Sequence, residues 1–439
     1  MLAASLYGFA VDVAGVSGAF LWLKADDAIA NSDGTLKQWN DVTGVHRFKL
    51  VGDKKNEILV VKEGLNGHAV IKFPGEAALE STEPMTYMTF IAVSSLNTEG
   101  CIGGLRASEK TERPPYFFTV KKDDKDTNQP FKTLLNDGAN VLKAKFSPKH
   151  QILWASLGNP VVDEFLINGE NTAKKKVLNR VAPNSLAIGC GYSVAGKKYY
   201  YLQGDIAEII AFPTFLTKEQ RYAIEDYLAL KYGITMYTYD FDAEKQNVVY
   251  RVLRNSKANI IWNGSEEDMI DYSQNMTYLV RDDAWGLNAK KGCGKGTIHL
   301  KEESALTLVN GPMFDKPNFF SKDLTYVIAG TNKEKANQFT TIQNPTDGKF
   351  YSILLRQYRV ISNSTGPVSL EFILHPGLLS YLHPDNLGLM VVNGNGQAKS
   401  YTGVYNSDYN TMIVNGVQLS GKDSFFFYIN IKDNNNLNQ

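Results

Sequence analysis

The chain has 439 residues, and its 46 Lys and Arg are balanced by 46 Asp and Glu, so its formal net charge is zero. That balance excludes a general binder of nucleic acid or of anionic membranes, because such proteins need an excess of basic side chains. Hydrophobic residues make up 43% of the chain and aromatic residues 11%, with 23 Tyr and 22 Phe, a composition typical of β-rich proteins with ordinary cores.

The first half of the chain alternates short strand patterns with Gly, Asn and Asp turns. Apolar runs and period-2 alternation predict strands at Met88–Ser94 and Gly204–Phe212. Glu164–Ile167 is a further predicted strand, and the Asn168-Gly169 pair after it predicts a tight hairpin turn. Regular short strands separated by turns indicate a sandwich or jelly roll and not βαβ units.

One helix is predicted, from Thr217 to Tyr232. Thr217 and Gln220 have the spacing of a capping box, and Gly233 is placed to end the helix. Three apolar residues recur at helical spacing and define the face expected to pack on a sheet: Ile224, Tyr227 and Leu228.

The second half is again strand-like, and no long amphipathic helix is predicted there. Its predicted strands are Asn259–Trp262, Thr277–Arg281, Leu324–Ala329, Tyr351–Ile361, Val368–Ile373, Leu387–Val392 and Phe425–Ile431. The fold class is therefore all-β: a jelly-roll sandwich with one capping helix, followed by a second β-sandwich. The predicted division is an N-terminal segment 1–13, a first domain 14–236, a second domain 237–432 and a disordered polar tail 433–439.

An ordered series of segments in the first domain matches a recurring pattern. The segments are Val16–Asp26, Gln38–Asp41, Leu65–Phe73, Gly204–Ile210 and Leu228–Ile234. This pattern resembles the laminin-G-like, concanavalin-A-like jelly-roll domains of large surface proteins from Bacteroidota. The β-domain that commonly follows them is resembled, more loosely, by Tyr278–Asn288, Arg356–Val360 and Val368–Phe372.

The resemblance implies a non-catalytic adhesin or recognition module on the cell surface, of a kind often exported by the type IX secretion route. The chain departs from that pattern because it ends without the β-rich sorting domain and basic C-terminal residues of such cargo. Its N-terminus has no Lys or Arg before Lys24, so no secretory signal is predicted; the two alternatives are that a signal has been removed or that the chain does not use that route. The expected location is extracellular or on the cell surface, with a virion as the alternative.

Loops of the first domain hold acidic residues that could ligate calcium, which takes several carboxylate and carbonyl oxygens. The candidates are Asp26, Asp27 and Asp41, with Asp33 and Asn40 nearby in sequence. Calcium is the one cofactor that the sequence suggests. The favoured alternative makes these residues turn and capping groups, because Asp and Asn stabilise turns with their own side chains.

The strongest motif of the second domain is Arg281-Asp282-Asp283, followed by Trp285 and Gly286. One interpretation is a ligand clamp or cation site. The favoured one is structural: Arg281 pairs with a carboxylate while Asp282 or Asp283 caps a turn. Trp285 is the tryptophan singled out as a ligand contact, because the others for which a role is assigned, Trp22, Trp39 and Trp154, lie in strand patterns typical of a core.

Catalysis is not expected. Glycosidases of this fold class place two carboxylates on one strand face. The nearest pairs, Asp205 with Glu208 and Asp163 with Glu164, lack period-2 spacing, so we expect each pair to fall on opposite faces of a strand.

The sequence thus favours a non-enzymatic recognition or adhesion protein that binds a glycan or a surface protein through loops at a sandwich rim. The alternative is a self-assembling structural subunit of an extracellular filament or a phage particle. A glycan-cleaving enzyme is the third and least supported hypothesis. Neither nucleic acid nor a membrane span is expected, since no run approaches the ~20 apolar residues that a span requires.

Overall fold

The computed structural model describes residues 11–85, 89–96, 99–106, 116–122, 131–136, 141–145, 149–156, 163–175, 184–192, 198–238, 249–250, 252–293, 306–332, 334–343, 348, 350–380 and 382–429. The chain divides into two compact units. The first unit comprises 1–228 and 236–241, and the second comprises 229–235 and 242–439.

Strands dominate the residues up to 238, as the turn-punctuated sequence predicts. They are β1 (Val11–Val13), β2 (Val16–Ala19), β3 (Leu21–Lys24), β4 (Ile29–Ala30), β5 (Leu36–Gln38), β6 (Phe48–Val51), β7 (Leu59–Leu65), β8 (His68–Pro74), β9 (Ala78–Met85), β10 (Thr89–Leu96), β11 (Gly100–Leu105), β12 (Tyr116–Lys122), β13 (Phe131–Asn136), β14 (Val141–Lys145), β15 (Gln151–Ser156), β16 (Asp163–Ile167), β17 (Glu170–Lys175), β18 (Asn184–Ile188), β19 (Gly191–Tyr192), β20 (Lys198–Tyr199), β21 (Gln203–Phe212) and β22 (Tyr237–Thr238).

Two antiparallel sheets make the first unit a sandwich. One has the order β17-β16-β15-β10-β21-β8-β7, with β3 also pairing with β21, and the other has the order β14-β13-β12-β11-β18-β9-β6. Buried residues of both sheets, such as Phe90 and Ile209 in the first and Ile102 and Ile188 in the second, form one apolar core between them. Alternation puts every second residue of a strand on that core face.

The Asn168-Gly169 turn joins β16 to β17 as the sequence predicts. Both residues have positive φ, 51° and 80°, and Ile167 pairs with Glu170 across the two-residue loop. Asn168 tolerates this left-handed conformation and glycine adopts it without steric cost, so the pair fixes the hairpin register.

The predicted helix forms as α1 (Lys218–Tyr232). The capping box is confirmed, because the Thr217 backbone N–H donates to Gln220 Oε1 at 2.9 Å and the Gln220 N–H donates to Thr217 Oγ1 at 3.2 Å. Gly233 ends the helix with φ 68°. The predicted apolar face is buried, and the Tyr227 hydroxyl reaches Glu208 on β21.

Replacement of Thr217 by alanine should lower the free energy of unfolding by about 1 kcal/mol, because the Gln220 N–H in the first turn loses its acceptor, the Thr217 hydroxyl. Urea unfolding followed by far-ultraviolet circular dichroism measures the change. Thr217→Ser keeps the hydroxyl and serves as the control. An equal loss in both variants would contradict the capping role.

Strands also dominate the rest of the chain. They are β23 (Val249–Tyr250), β24 (Val252–Arg254), β25 (Ile260–Asn263), β26 (Gln274–Asp282), β27 (Leu287–Asn288), β28 (Lys291–Cys293), β29 (Leu306–Asn310), β30 (Thr325–Thr331), β31 (Phe339–Gln343), β32 (Phe350–Leu354), β33 (Tyr358–Ser362), β34 (Val368–Ile373), β35 (Leu387–Val392), β36 (Ala398–Thr402), β37 (Val404–Asn406), β38 (Thr411–Val417) and β39 (Gly421–Ile429), with one short helix, α2 (Pro376–Leu379).

The second unit is also a sandwich of two antiparallel sheets. The larger has the order β27-β26-β30-β33-β39-β32-β31, with β35 and β36 added beside β39, and the smaller has the order β28-β29-β34-β38-β37. Val327 and Val360 of the larger sheet pack against Leu308, Leu370 and Val414 of the smaller one. The all-β fold class is therefore confirmed.

One strand prediction is wrong in detail. The run Tyr351–Ile361 is not continuous but is broken into β32 and β33. Between them the Arg356 Nε donates to the carbonyl of Glu334 at 3.0 Å, and the Gln357 N–H donates to Asn332 Oδ1 at 3.1 Å. These contacts hold the connection against another loop of the second unit. The local sequence of residues 351–361 does not reveal them.

Candidate ligand-binding site

The predicted motif Arg281-Asp282-Asp283 lies at the end of β26, where the chain turns into β27. Asp282 is fully buried, and its carboxylate accepts the Ser256 N–H at 2.8 Å and the Trp285 N–H at 3.3 Å. It therefore caps the single 3-10 turn Asp283–Trp285, which Gly286 ends with φ 66°. In the structure Asp282 has this capping role.

Arg281 connects the same turn to a second loop. Its Nε and Nη2 donate to the two oxygens of Asp283 at 2.8 and 2.9 Å, and its Nη1 donates to the carbonyl of Phe320 at 2.6 Å. The guanidinium hydrogen bonds hold the pKa of Asp283 below its usual range. A planar fork of donors suits this three-way contact, which a lysine could not reproduce.

The second loop, residues 311–324, runs from β29 in the smaller sheet to β30 in the larger one. Asp323 accepts the N–H of Asp283 at 2.7 Å and that of Leu324 at 2.8 Å. Asn310 is paired with Asn318 in both directions, at 2.9 and 3.1 Å. The 281–286 turn and the 311–324 loop are thus tied together by their own hydrogen bonds, and we call them, with Lys290 and Lys291, the aromatic rim.

Large apolar side chains are exposed on this rim although its backbone is well anchored. Phe319 is 50% exposed and Met313 is 44% exposed, while Phe314 and Trp285 are half-buried. The Lys290 ammonium lies 4.4 Å from the ring centroid of Phe319. Several apolar side chains exposed together on an anchored loop are typical of an interaction site. The rim is therefore the candidate binding site.

The sequence predicts one of the two segments that meet at this rim and does not reveal the other. The turn that carries Trp285 is predicted, and the structure joins to it, through Arg281 and Asp323, the loop that carries Phe319 and Met313. A signal was present, because loop residues Gly311, Pro312 and Pro317 flank apolar residues that no strand or helix pattern explains. That the loop meets the turn follows only from the fold.

The calcium candidates of the first unit, Asp26, Asp27 and Asp41, each bond to different partners. Asp41 accepts the backbone N–H groups of Trp22, Thr43 and His46 at 2.9, 3.1 and 3.0 Å. Asp26 accepts the Ala69 N–H at 2.8 Å.

Two of these acidic residues also contact basic side chains. Asp26 approaches His68 Nδ1 at 2.9 Å, and Asp27 pairs with the Lys24 ammonium at 2.9 Å. Nowhere in the described ranges do three or more His, Cys, Asp or Glu side chains form a group that could hold a metal ion. Asp41 has a turn role, through the Thr43 N–H, whereas Asp26 is bonded to β8 and Asp27 is ion-paired with Lys24.

The prediction that Asp205 and Glu208 lie on opposite faces of their strand is wrong. Asp205 pairs with Ser95 and Glu208 pairs with Val93, so an extra residue in β21 brings both carboxylates to one face of the strand. Glu208 is 1% exposed and accepts Trp22 Nε1 at 2.6 Å and the Tyr227 hydroxyl at 3.1 Å. Of the second pair, Asp163 and Glu164, the side chains lie outside the described residues.

Comparison with known proteins finds one family model, described as a domain of unknown function (DUF8202), which matches residues 220–423. No curated protein sequence matches the chain. Domain 4 of the extracellular GH43 arabinanase AbnA from Geobacillus stearothermophilus, solved with arabinotriose, is 12% identical. It covers 47% of this chain and 97% of its own, with a TM-score of 0.33.

Two further solved structures are similar at the same low level. The receptor-binding domain of a botulinum neurotoxin C/D mosaic serotype is 9% identical over 93% of this chain and 96% of its own, with a TM-score of 0.37. The CBM40 domain of the Ruminococcus gnavus IT-sialidase, bound to α2,6-sialyllactose, is 13% identical over 32% and 84%, with a TM-score of 0.25. Among the described residues, neither helix is long and apolar enough to cross a membrane.

Proposed function

We propose that this protein is a non-catalytic recognition protein that binds carbohydrate at the aromatic rim of its second unit, outside the cell or on its surface. The observation that carries the proposal is the half-exposed Phe319 on a loop whose backbone is fixed at both ends. An exposed ring on a rigid backbone can stack on the apolar face of a sugar without first being ordered, which lowers the entropic cost of binding.

The chemistry of the rim supports binding and not hydrolysis. The carboxylates of Asp282, Asp283 and Asp323 each accept hydrogen bonds from the protein itself, so their oxygens are engaged in holding the turn and the loop. General acid–base catalysis on a glycosidic bond needs carboxyl groups directed at the substrate. Such a rim can hold a sugar, while these three carboxylates hold the turn and the loop in place.

Replacement of Phe319 by alanine should weaken glycan binding about tenfold or more, which is ~1.4 kcal/mol or more, because the stacking surface is removed. A glycan array first identifies the sugars that bind, and titration calorimetry with the best of them then measures the affinity. Light scattering measures the size of the species that binds. A large assembly would instead favour the structural-subunit alternative.

The matched control is Phe350→Ala, which removes a ring that is 72% exposed on β32 of the larger sheet. We expect it to leave the affinity unchanged. Equal binding by wild type and Phe319→Ala, or an array with no bound sugar, would refute the proposed site.

A further inference from the structure

The charged groups of the aromatic rim fall into two classes. Its acidic side chains are mostly committed to the protein: Asp282 caps a turn, Asp283 is paired with Arg281, and Asp323 accepts two backbone N–H groups. Asp315 is the exposed acidic residue that remains in the loop. The negative charge that the rim offers to a ligand is therefore small.

The lysines of the rim make fewer ion pairs and hydrogen bonds within the protein than its acidic side chains do. Lys290 is exposed, has no carboxylate partner among the described residues, and sits over Phe319. Lys291 lies 5.3 Å from the ring centroid of Phe314 and is close enough to Glu371 to affect its pKa. Lys316 and Lys322 are exposed on the loop itself. Among the described residues of the rim, the charged side chains that remain available are therefore mostly lysines.

Lys290 and Phe319 are placed to act together. An ammonium 4.4 Å from the ring centroid rests on the aromatic face, which orients the long lysine side chain by cation–π attraction. Phe319 as a residue is 50% exposed, so part of its surface stays available for a sugar. One sugar ring can therefore stack on Phe319 while an anionic substituent of the same sugar reaches the Lys290 ammonium.

We propose that the ligand of the aromatic rim is an acidic carbohydrate, one that carries a carboxylate or a sulfate, and that Lys290 determines this specificity. The inference rests on the proposed carbohydrate-binding function and adds the chemical class of the sugar. A charge-assisted hydrogen bond from an ammonium to an anion is stronger than a bond between neutral groups.

Nucleic acid is a less suitable occupant, although it is also anionic. Strands of nucleic acid are held by grooves in which basic side chains and stacking rings follow the backbone over several nucleotides. The rim offers one half-exposed ring with one stacked lysine, and the chain as a whole has no excess of positive charge. A single acidic sugar residue fits that scale.

The experiment is a glycan array in which each backbone is present in neutral, carboxylated and sulfated forms, such as lactose, sialyllactose and sulfated lactose. Calorimetry then compares wild type with Lys290→Met, which keeps the apolar stem on Phe319, and with Lys290→Arg, which keeps the charge. We expect Lys290→Met to bind acidic sugars about three- to tenfold more weakly and Lys290→Arg to retain most of the affinity. The affinity of wild type should fall with added salt, and that of Lys290→Met should fall less.

The outcomes distinguish failure of the acidic-sugar inference from failure of the carbohydrate-binding function on which it rests. Neutral sugars that bind as well as their acidic forms, with binding still lost in Phe319→Ala, would overturn the inference and leave carbohydrate recognition intact. If Phe319→Ala and Lys290→Met both bind as well as wild type, the acidic-sugar inference and the proposed carbohydrate site are both overturned. Displacement of the sugar by oligodeoxythymidylate at equal concentration would assign the rim to nucleic acid. The carboxylated and sulfated arms of the array identify which anion is preferred.

Discussion

Replacement of Asp282 by alanine is expected to lower the free energy of unfolding of the second unit by about 2–3 kcal/mol. The carboxylate is fully buried and accepts the Ser256 and Trp285 N–H groups at 2.8 and 3.3 Å, so alanine leaves two backbone donors without an acceptor. A buried donor that loses its partner costs about 1–3 kcal/mol. Urea unfolding followed by tryptophan fluorescence measures the loss.

Two variants distinguish a cap from a ligand clamp. Asp282→Asn keeps one oxygen and should lose roughly half as much stability, while Asp283→Ala removes only an exposed ion pair and should lose much less. If Asp282 held a cation instead, wild type would be destabilised by chelation and Asp282→Asn would be as damaging as Asp282→Ala. That pattern would return the motif to the cation-site interpretation.

Asp282→Ala should also weaken the sugar binding proposed for the rim. The turn that it caps carries Trp285 and supplies the Asp283 N–H that anchors Asp323. A loosened turn leaves the Phe319 loop with fewer anchors, so binding costs more conformational entropy. The loss of stability and the loss of affinity should therefore appear together in this variant, whereas Phe319→Ala should lose affinity alone.

The features that the sequence predicts well are those that depend on interactions between residues close together in the chain. Strand periodicity, the Asn168-Gly169 turn and the Thr217–Gln220 capping box depend on residues that are neighbours in the chain, and all three are found in the structure. The capping role of Asp282 and the pairing of Arg281 with Asp283 follow for the same reason, since both lie within one glycine-terminated turn.

Features that depend on distant segments are the ones that sequence reasoning misses. The bulge that puts Asp205 and Glu208 on one face arises in the pairing of β21 with β10, and no spacing rule within β21 predicts it. The break between β32 and β33 depends on contacts with Asn332 and Glu334. The aromatic rim is of the same kind, because Phe319 joins the Trp285 turn only through Arg281 and Asp323.

The first unit contains a buried histidine that makes its stability depend on pH. His150 is almost wholly buried, and Nε2 lies 3.8 Å from Asp205 Oδ2; within the part of the chain that the structure describes, neither ring nitrogen has a hydrogen-bond partner. Burial lowers its pKa to about 4 from an ordinary value near 6.5. The unfolded chain therefore binds a proton that the folded chain rejects between those two pH values, and the folded state loses stability as pH falls through this window.

The expected loss is about 3 kcal/mol between pH 7 and pH 4, at 1.36 kcal/mol for each unit of pKa difference. Asp205 acts in the opposite direction. Burial raises its pKa, although Lys72 and a hydrogen bond from Ser95 lower it in part, so the folded state takes up that proton more readily as pH falls. The His150 contribution is isolated by comparing variants at each pH instead of reading the wild-type curve alone.

His150→Gln removes the titrating group and should flatten the pH dependence of the free energy of unfolding by that amount. His383→Gln is the matched control, because that imidazole is 70% exposed and should leave the curve unchanged. Urea unfolding at pH 7, 5.5 and 4 supplies the free energies, and hydrogen exchange in β15 and β21 assigns the change to the first unit. Parallel curves for wild type and His150→Gln would show that His150 is already charged in the fold. The 3.8 Å contact with Asp205 would then be an ion pair, and the face shared by Asp205 and Glu208 would carry a buried charge network.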